Sequence, residues 1–388
     1  MKMLLNSKLD IFSKNKLSEL DKDLLLRELL YSDRLNNSKI KINRDKFVSF
    51  ACNDYLGLSH HPELIKINNN VTKKYGLGAG SSRLVSGNSS LYKKLESKLA
   101  KIKNTEDAIV FGSGYLANIG TIPVLMGEKD LILIDELSHS CLFSGSYLAK
   151  SKLIKFRHNN VSDVKKILEK NRTKYEKCLL ITEGVFSMEG DQAPLAELLD
   201  LVNSYDTWMM VDDAHGFGVV NEGKGSNFIN NDFLPIPIQM GTLSKSIGTY
   251  GGYVCSSKPV IDLIRNRARS LIYTTGLPPG IIGASIKALE IIDNDHKLVK
   301  KPIIASTYFT RLLNLKKPKS AIVPIILGSE RKVLNLSKIL MENGFLVGAI
   351  RPPTVPKNTA RIRCSFNANH KMKDIEKIVS IIKKSGYG

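Results

Sequence analysis

Among the side chains able to do covalent chemistry, Lys245 has the most suggestive setting. It lies in Gly241-Thr242-Leu243-Ser244-Lys245-Ser246-Ile247-Gly248, behind a strand-like run and among small hydroxyl residues. A lysine amine condenses with an aldehyde, and partial burial among other cations lowers its pKa toward the reactive free amine. Thr242 and Ser244 add a hydroxyl and backbone N–H groups suited to a phosphate dianion. Taken alone, Ser-Lys in a chain with 57 Lys and Arg residues reads more naturally as a surface loop. The neighbouring segments change that balance.

Upstream, Trp208-Met209-Met210-Val211 is an apolar run with a β-branched end, which reads as a buried parallel strand, and it leads into Asp212-Asp213-Ala214-His215-Gly216. A carboxylate at the C-terminal end of such a strand faces the crevice where α/β sheets bind ligands. Asp212 can there pair with a protonated ring nitrogen, and His215 can bond a phenolic oxygen. A capping aspartate and a turn histidine are the plainer alternative.

Asp107-Ala108-Ile109-Val110-Phe111 is another strand, running into Gly112-Ser113-Gly114-Tyr115, a helix start whose free N–H groups suit a phosphate. It lacks the third glycine and the acidic ribose ligand of a dinucleotide fingerprint. Ile132-Leu133-Ile134-Asp135 leads to Ser138-His139-Ser140, where an imidazole can stack on an aromatic ring, although a loop histidine is ordinarily just a satisfied side chain. Leu179-Leu180-Ile181-Thr182-Glu183 leads to Gly184-Val185-Phe186-Ser187. Strand ends carrying candidate ligands recur in chain order, which is far less expected by chance than any one of them.

With Asn53-Asp54-Tyr55-Leu56-Gly57 and Gly78-Ala79-Gly80-Ser81-Ser82-Arg83-Leu84-Val85-Ser86-Gly87, these segments resemble the α-oxoamine synthases over nearly the whole chain. That family consists of fold-type I pyridoxal 5'-phosphate enzymes, which condense an amino acid with an acyl thioester. The resemblance implies that Lys245 is the Schiff-base lysine, Asp212 the pyridinium partner and His139 the residue stacked on the ring. It further implies that Ser187 and His215 meet the phenolic oxygen, with Glu183 nearby. Ser113, Gly114, Tyr115 and Thr242 would hold the phosphate, helped by Thr274 or Thr275 of the partner subunit in a homodimer with shared sites. Arg363 matches the carboxylate clamp, for which a bidentate guanidinium is the fitting group. Arg27, Asn53 and Thr354 match substrate-contacting positions. Tyr55-Leu56-Gly57-Leu58-Ser59-His60-His61-Pro62 and Ala349-Ile350-Arg351-Pro352-Pro353-Thr354-Val355-Pro356 are similar to the members that join L-alanine to pimeloyl-CoA or pimeloyl-acyl carrier protein in biotin biosynthesis. Glycine C-acetyltransferase and 5-aminolevulinate synthase activities are the alternatives within the family.

The elements that must position these residues follow from the patterning. Residues 1–48 read as an N-terminal helix and hairpin. Over 49–280, apolar strands alternate with helical stretches such as Ser90 to Lys103 and Val161 to Lys170, predicting a large α/β cofactor-binding domain with a mostly parallel sheet and helices on both faces. Residues 281–388 read as a smaller α+β domain. The 388 residues suffice for a large core, and 43% hydrophobic content argues for a globular chain. The N-terminus is broken by Lys8, Asp10, Lys14 and Lys16, so no signal-peptide core is expected, and no run reaches the length of a membrane span. The cysteines at 52, 141, 178, 255 and 364 have neither metal-ligand nor disulfide-framework spacing. A cytoplasmic enzyme without a metal is expected. The net charge of +20 raises a remote alternative, a non-catalytic carrier- or nucleic-acid-binding protein. Its lysines are scattered without aromatic interleaving, so no nucleic-acid partner is expected.

Overall fold

Seven strands build the main sheet, and all but the edge strand Lys152–Phe156 are almost wholly buried, because parallel strands covered on both faces need apolar residues at nearly every position. In this computed structural model, which describes residues 7–36 and 38–387, the strands are β1 (Asp107–Phe111), β2 (Leu131–Asp135), β3 (Lys152–Phe156), β4 (Cys178–Glu183), β5 (Trp208–Asp212), β6 (Ile238–Thr242) and β7 (Gly252–Ser256). Their order across the sheet is β1-β7-β6-β5-β4-β2-β3. All neighbours are parallel except β7, which runs antiparallel between β6 and β1.

Side chains along each strand alternate between faces. Ile132, Ile134, Leu179, Ile181, Met210 and Met240 therefore share one core with helices Gly114–Leu125, Ser140–Ala149 and Lys258–Arg267. Leu131, Leu133, Leu180, Met209 and Val211 share another with helices Val161–Asn171 and Leu195–Asn203. The result is the helix-covered, mostly parallel sheet read from the alternating pattern.

Contacts group the chain into two units, one of residues 52–323 with 365–372 and one of 1–51 with 324–364 and 373–388. This division runs elsewhere than the expected boundaries at 48/49 and 280/281. In the smaller unit the hairpin of Lys39–Ile42 and Asp45–Ser49 is extended by a parallel pairing of Val48 with Phe345 and Ser49 with Leu346. In the larger unit helix Pro279–Asn294 packs on helix Pro62–Tyr75. Gly280 and Gly283 make that approach possible: a Cβ at 283 would lie 2.7 Å from Val71 Cγ2, and one at 280 would strike Asn68. Among the described residues no helix is long and apolar enough to cross a membrane.

At the end of β2, Asp135 is fully buried and bonds His158 Nδ1 at 3.0 Å, while Asp191 Oδ2 holds His158 Nε2 at 3.0 Å. Burial opposes the charged ring, but the two carboxylates prevail and raise its pKa from 6.5 to about 10. A histidine raised in this way contributes stability that is complete below pH 6.5 and lost as pH climbs through about 10. We expect the thermal midpoint to fall over that window and His158→Gln to flatten the fall. The loss on substitution should be about 1.5–3 kcal/mol, the range for hydrogen bonds to charged groups. Parallel pH profiles for both proteins would refute the assignment.

Candidate active site

The C-terminal ends of β1, β2, β4, β5 and β6 all open on the same edge of the sheet, and each delivers one part of a cavity of about 240 Å³. From β1 comes the start of helix Gly114–Leu125, capped by Ser113, whose Oγ accepts from Leu116 N at 3.1 Å. From β2 comes His139, which caps helix Ser140–Ala149 by accepting the Cys141 N–H at Nδ1, 3.2 Å away. Because a backbone N–H can only donate, Nδ1 is the acceptor and the neutral ring carries its proton on Nε2. Burial, followed by the nearby Lys245 and against the pull of Asp212, lowers the His139 pKa and favours that neutral ring.

β4 ends in Glu183, whose Oε1 accepts the His139 N–H. Burial, then the Asp212 carboxylate, pushes Glu183 well above the usual carboxylate range. β5 ends in Asp212, fixed by Asn118 Nδ2 donating to Oδ2 at 2.8 Å and Ala214 N donating to Oδ1 at 3.0 Å. β6 ends in Thr242, whose hydroxyl donates to Gly251 O at 2.8 Å and accepts from Ser244 N at 3.1 Å. This folds the turn that projects Lys245. Its Nζ lies 2.7 Å from His215 Nε2, and His215 Nδ1 lies 2.6 Å from the Tyr55 hydroxyl.

A thiol and an amine line the cavity, Cys141 and Lys245. Burial and the Asp212 charge raise the Cys141 thiol to about 12, so no useful thiolate forms near neutrality. The amine is the nucleophile that this arrangement can use. Aspartate 213, adjacent to Asp212, is engaged elsewhere: Lys103 Nζ reaches its Oδ2 at 3.0 Å. Period-two alternation separates the pair, sending Asp212 to the face of Met210 and Asn118 and Asp213 the other way.

Of the residues singled out by sequence, Gly114, Tyr115, His139, Glu183, Asp212, His215, Thr242, Ser244 and Lys245 meet around this cavity. Asn53 lies one step behind, its Oδ1 accepting from the Tyr55 hydroxyl at 3.3 Å. Ser187 is buried in the loop after β4 without lining the cavity, and Thr274 and Thr275 do not line it either. Thr275 forms an isolated bridge with Ser82. Arg27, Thr354 and Arg363 belong to the smaller unit, where Arg27 Nη2 donates to Thr354 Oγ1 at 3.3 Å. Arg363 is buried in strand Ala360–Ser365 opposite Gly348. Sequence reasoning gave no role to Cys141, Ala214, Met240 or Asn118. Only Asn118 carried a usable signal, lying one helical turn after Gly114 and so on the same face.

A phosphorylated aldehyde cofactor suits these residues. A Cβ on Gly114 would come 2.9 Å from Met240 Cε and 3.6 Å from Thr242 Cβ, so a glycine is what lets the helix start approach β6. The helix N-terminus, the amine and the buried carboxylate match an anion, an aldehyde and a basic ring nitrogen in turn.

The family model for aminotransferase class I and II matches residues 45–382. An 8-amino-7-oxononanoate synthase of Beijerinckia indica is 48% identical over 374 residues, 96% of this chain and 97% of that protein. Among solved structures, a serine palmitoyltransferase from S. paucimobilis with a bound PLP–myriocin aldimine superposes with a TM-score of 0.92 at 26% identity, covering 98% of each chain. An 8-amino-7-oxononanoate synthase from Francisella tularensis has a TM-score of 0.76 at 29% identity, covering 88% of this chain and 98% of that one.

Proposed function

The chain belongs to the class I and II aminotransferase family, in its α-oxoamine synthase branch, and we propose that it joins L-alanine to a pimeloyl thioester with loss of carbon dioxide. The products are 8-amino-7-oxononanoate and the free thiol of coenzyme A or acyl carrier protein, a step of biotin biosynthesis in the cytoplasm. One observation carries this reading: an amine, a buried carboxylate and a helix N-terminus surround a single cavity in a chain 48% identical to an 8-amino-7-oxononanoate synthase.

When bound, pyridoxal 5'-phosphate supplies an aldehyde that condenses with amines and a ring that accepts the electrons left at the substrate Cα. Ser113, Gly114, Tyr115 and Thr242 would hold its phosphate, with Thr274 or Thr275 of the partner subunit in a homodimer. Lys245 would hold the aldehyde carbon in the resting enzyme. Asp212 would keep a proton on the ring nitrogen, and its own position is held by Asn118 and Ala214. Neutral His139 would stack on the ring, steadied through its N–H by Glu183. His215 and Ser187 would bond the phenolic oxygen. The Lys245 amine would serve as the base and acid at the alanine Cα, with His215 Nε2 as its hydrogen-bond partner. Arg363 would clamp the alanine carboxylate, while Arg27, Asn53 and Thr354 would contact substrate.

The test combines purified protein, pyridoxal 5'-phosphate, L-alanine and either pimeloyl-CoA or pimeloyl-acyl carrier protein, with 8-amino-7-oxononanoate measured by mass spectrometry. Product formed with equimolar carbon dioxide is expected. Product only from glycine with acetyl-CoA or succinyl-CoA would overturn the substrate assignment. The shared-site homodimer carries its own expectation. Light scattering and activity across a dilution series should fall together, whereas a fully active, cofactor-saturated monomer would refute shared sites.

A further inference from the structure

We propose that the buried Lys103–Asp213 ion pair is the positioning device of this site, holding together the loops that carry Asp212, His215 and Glu183. The proposal rests on the cofactor reading above. Lys103 and Asp213 have side chains only 1% and 3% exposed. Lys103 closes the C-terminal end of helix Ser90–Ile102, and its Nζ donates to Asp213 Oδ2 at 3.0 Å and to Asn227 Oδ1 at 2.9 Å. Ser226 N donates to both Asp213 oxygens, at 3.1 and 3.2 Å. The Asp213 backbone carbonyl accepts from Gly216 N and Phe217 N, each at 3.1 Å.

Three glycines make the packing around this carboxylate possible. A Cβ built on Gly184, next to Glu183, would lie 2.7 Å from Asp213 Oδ1, and Cβ atoms on Gly216 and Gly225 would strike Asp213 oxygens outright. The loops after β4 and β5 and the turn at 225–227 thus converge on one charge. The Lys103 ammonium and the Ser226 N–H supply hydrogen bonds to this buried carboxylate, so the charge is paired where it sits. Because Asp213 lies between Asp212 and Ala214, any shift of its carboxylate is transmitted to the Asp212–Ala214 hydrogen bond and to the direction in which His215 meets Lys245. Lys103 and Asp213 do not themselves line the cavity, so they act through the residues that do.

The test uses the isosteric, charge-free double variant K103M/D213N, which avoids the unpaired buried charge that either single change would leave. Folding is checked first by circular dichroism and thermal melting, with D213N alone as a second variant. Two readings then follow on the full chain. Histidine NMR of the cofactor-free protein should show the His215 titration midpoint moved by about half a unit or more, since one pKa unit reflects a modest change in local interaction. Spectroscopic titration with pyridoxal 5'-phosphate should show binding weakened about tenfold, the lower end of the effects seen when groups that orient a site are removed. A folded double variant with an unchanged His215 titration and unchanged cofactor affinity would overturn the proposal. If the wild-type chain itself fails to bind the cofactor, the functional reading falls, while the histidine titration still decides the positioning role.

Discussion

Replacing Lys245 by alanine is expected to lower turnover by about 10⁴-fold or more, since the substitution removes both the covalent anchor and the group that moves the Cα proton. That loss corresponds to about 5.5 kcal/mol of transition-state stabilisation, more than any other single side chain of the cavity is expected to supply. The variant should still fold. Lys245 lies on a turn held by bonds of Thr242, Ser244 and Gly251, none of which involve its side chain. Cofactor should remain in the cavity without its covalent link, so the visible absorption band of the purified protein should change while the melting temperature of the cofactor-free protein stays near wild type. Near-normal product formation would remove Lys245 from the chemistry. The cavity's thiol, Cys141, would be a poor substitute, since it is raised to about 12.

The parts of this site that could be read from the sequence are those set by local pattern. Leu179-Leu180-Ile181-Thr182 and Trp208-Met209-Met210-Val211 announce buried parallel strands because both faces of such strands are covered, and the polar residue that follows each run falls at the ligand-binding edge. Gly114 was legible as a helix start because its backbone has to approach a neighbour. What escaped depends on pairing across the chain. Strand β7 inserts antiparallel between β1 and β6, and nothing in Gly252-Tyr253-Val254-Cys255-Ser256 indicates either partner. The helix Pro279–Asn294 reads as the opening of a second domain until Gly280 and Gly283 are seen against helix Pro62–Tyr75. The two adjacent aspartates show the limit most clearly. Alternation separates Asp212 from Asp213, but which face holds the cavity depends on Asn118 and Lys103, both remote in sequence.

That distinction sets the second large effect. Asp212→Asn is expected to lower kcat by about 10²–10³-fold, the range for losing one group aimed at charge that develops in the reaction. Asparagine cannot hold a proton on a basic ring nitrogen as a carboxylate does, so the ring would accept electrons from the Cα poorly. Folding should survive for a specific reason. Both Asp212 oxygens accept hydrogen bonds, from Asn118 Nδ2 and Ala214 N, and the new amide would present one donor where an acceptor stood. Asn118 Oδ1 is buried without a partner among the described residues, so a flip of the Asn118 amide turns that acceptor toward the new NH₂. The flip costs only the weak contact from Asn118 Nδ2 to Cys141 Sγ. Kinetics and melting temperature measured together separate the two effects: a large fall in kcat with the melting temperature changed by only a few degrees is the expected pair. Unchanged kcat would take Asp212 out of the reaction. Its neighbour could not replace it without giving up Lys103, because Asp213 is already held on the far side of the strand end.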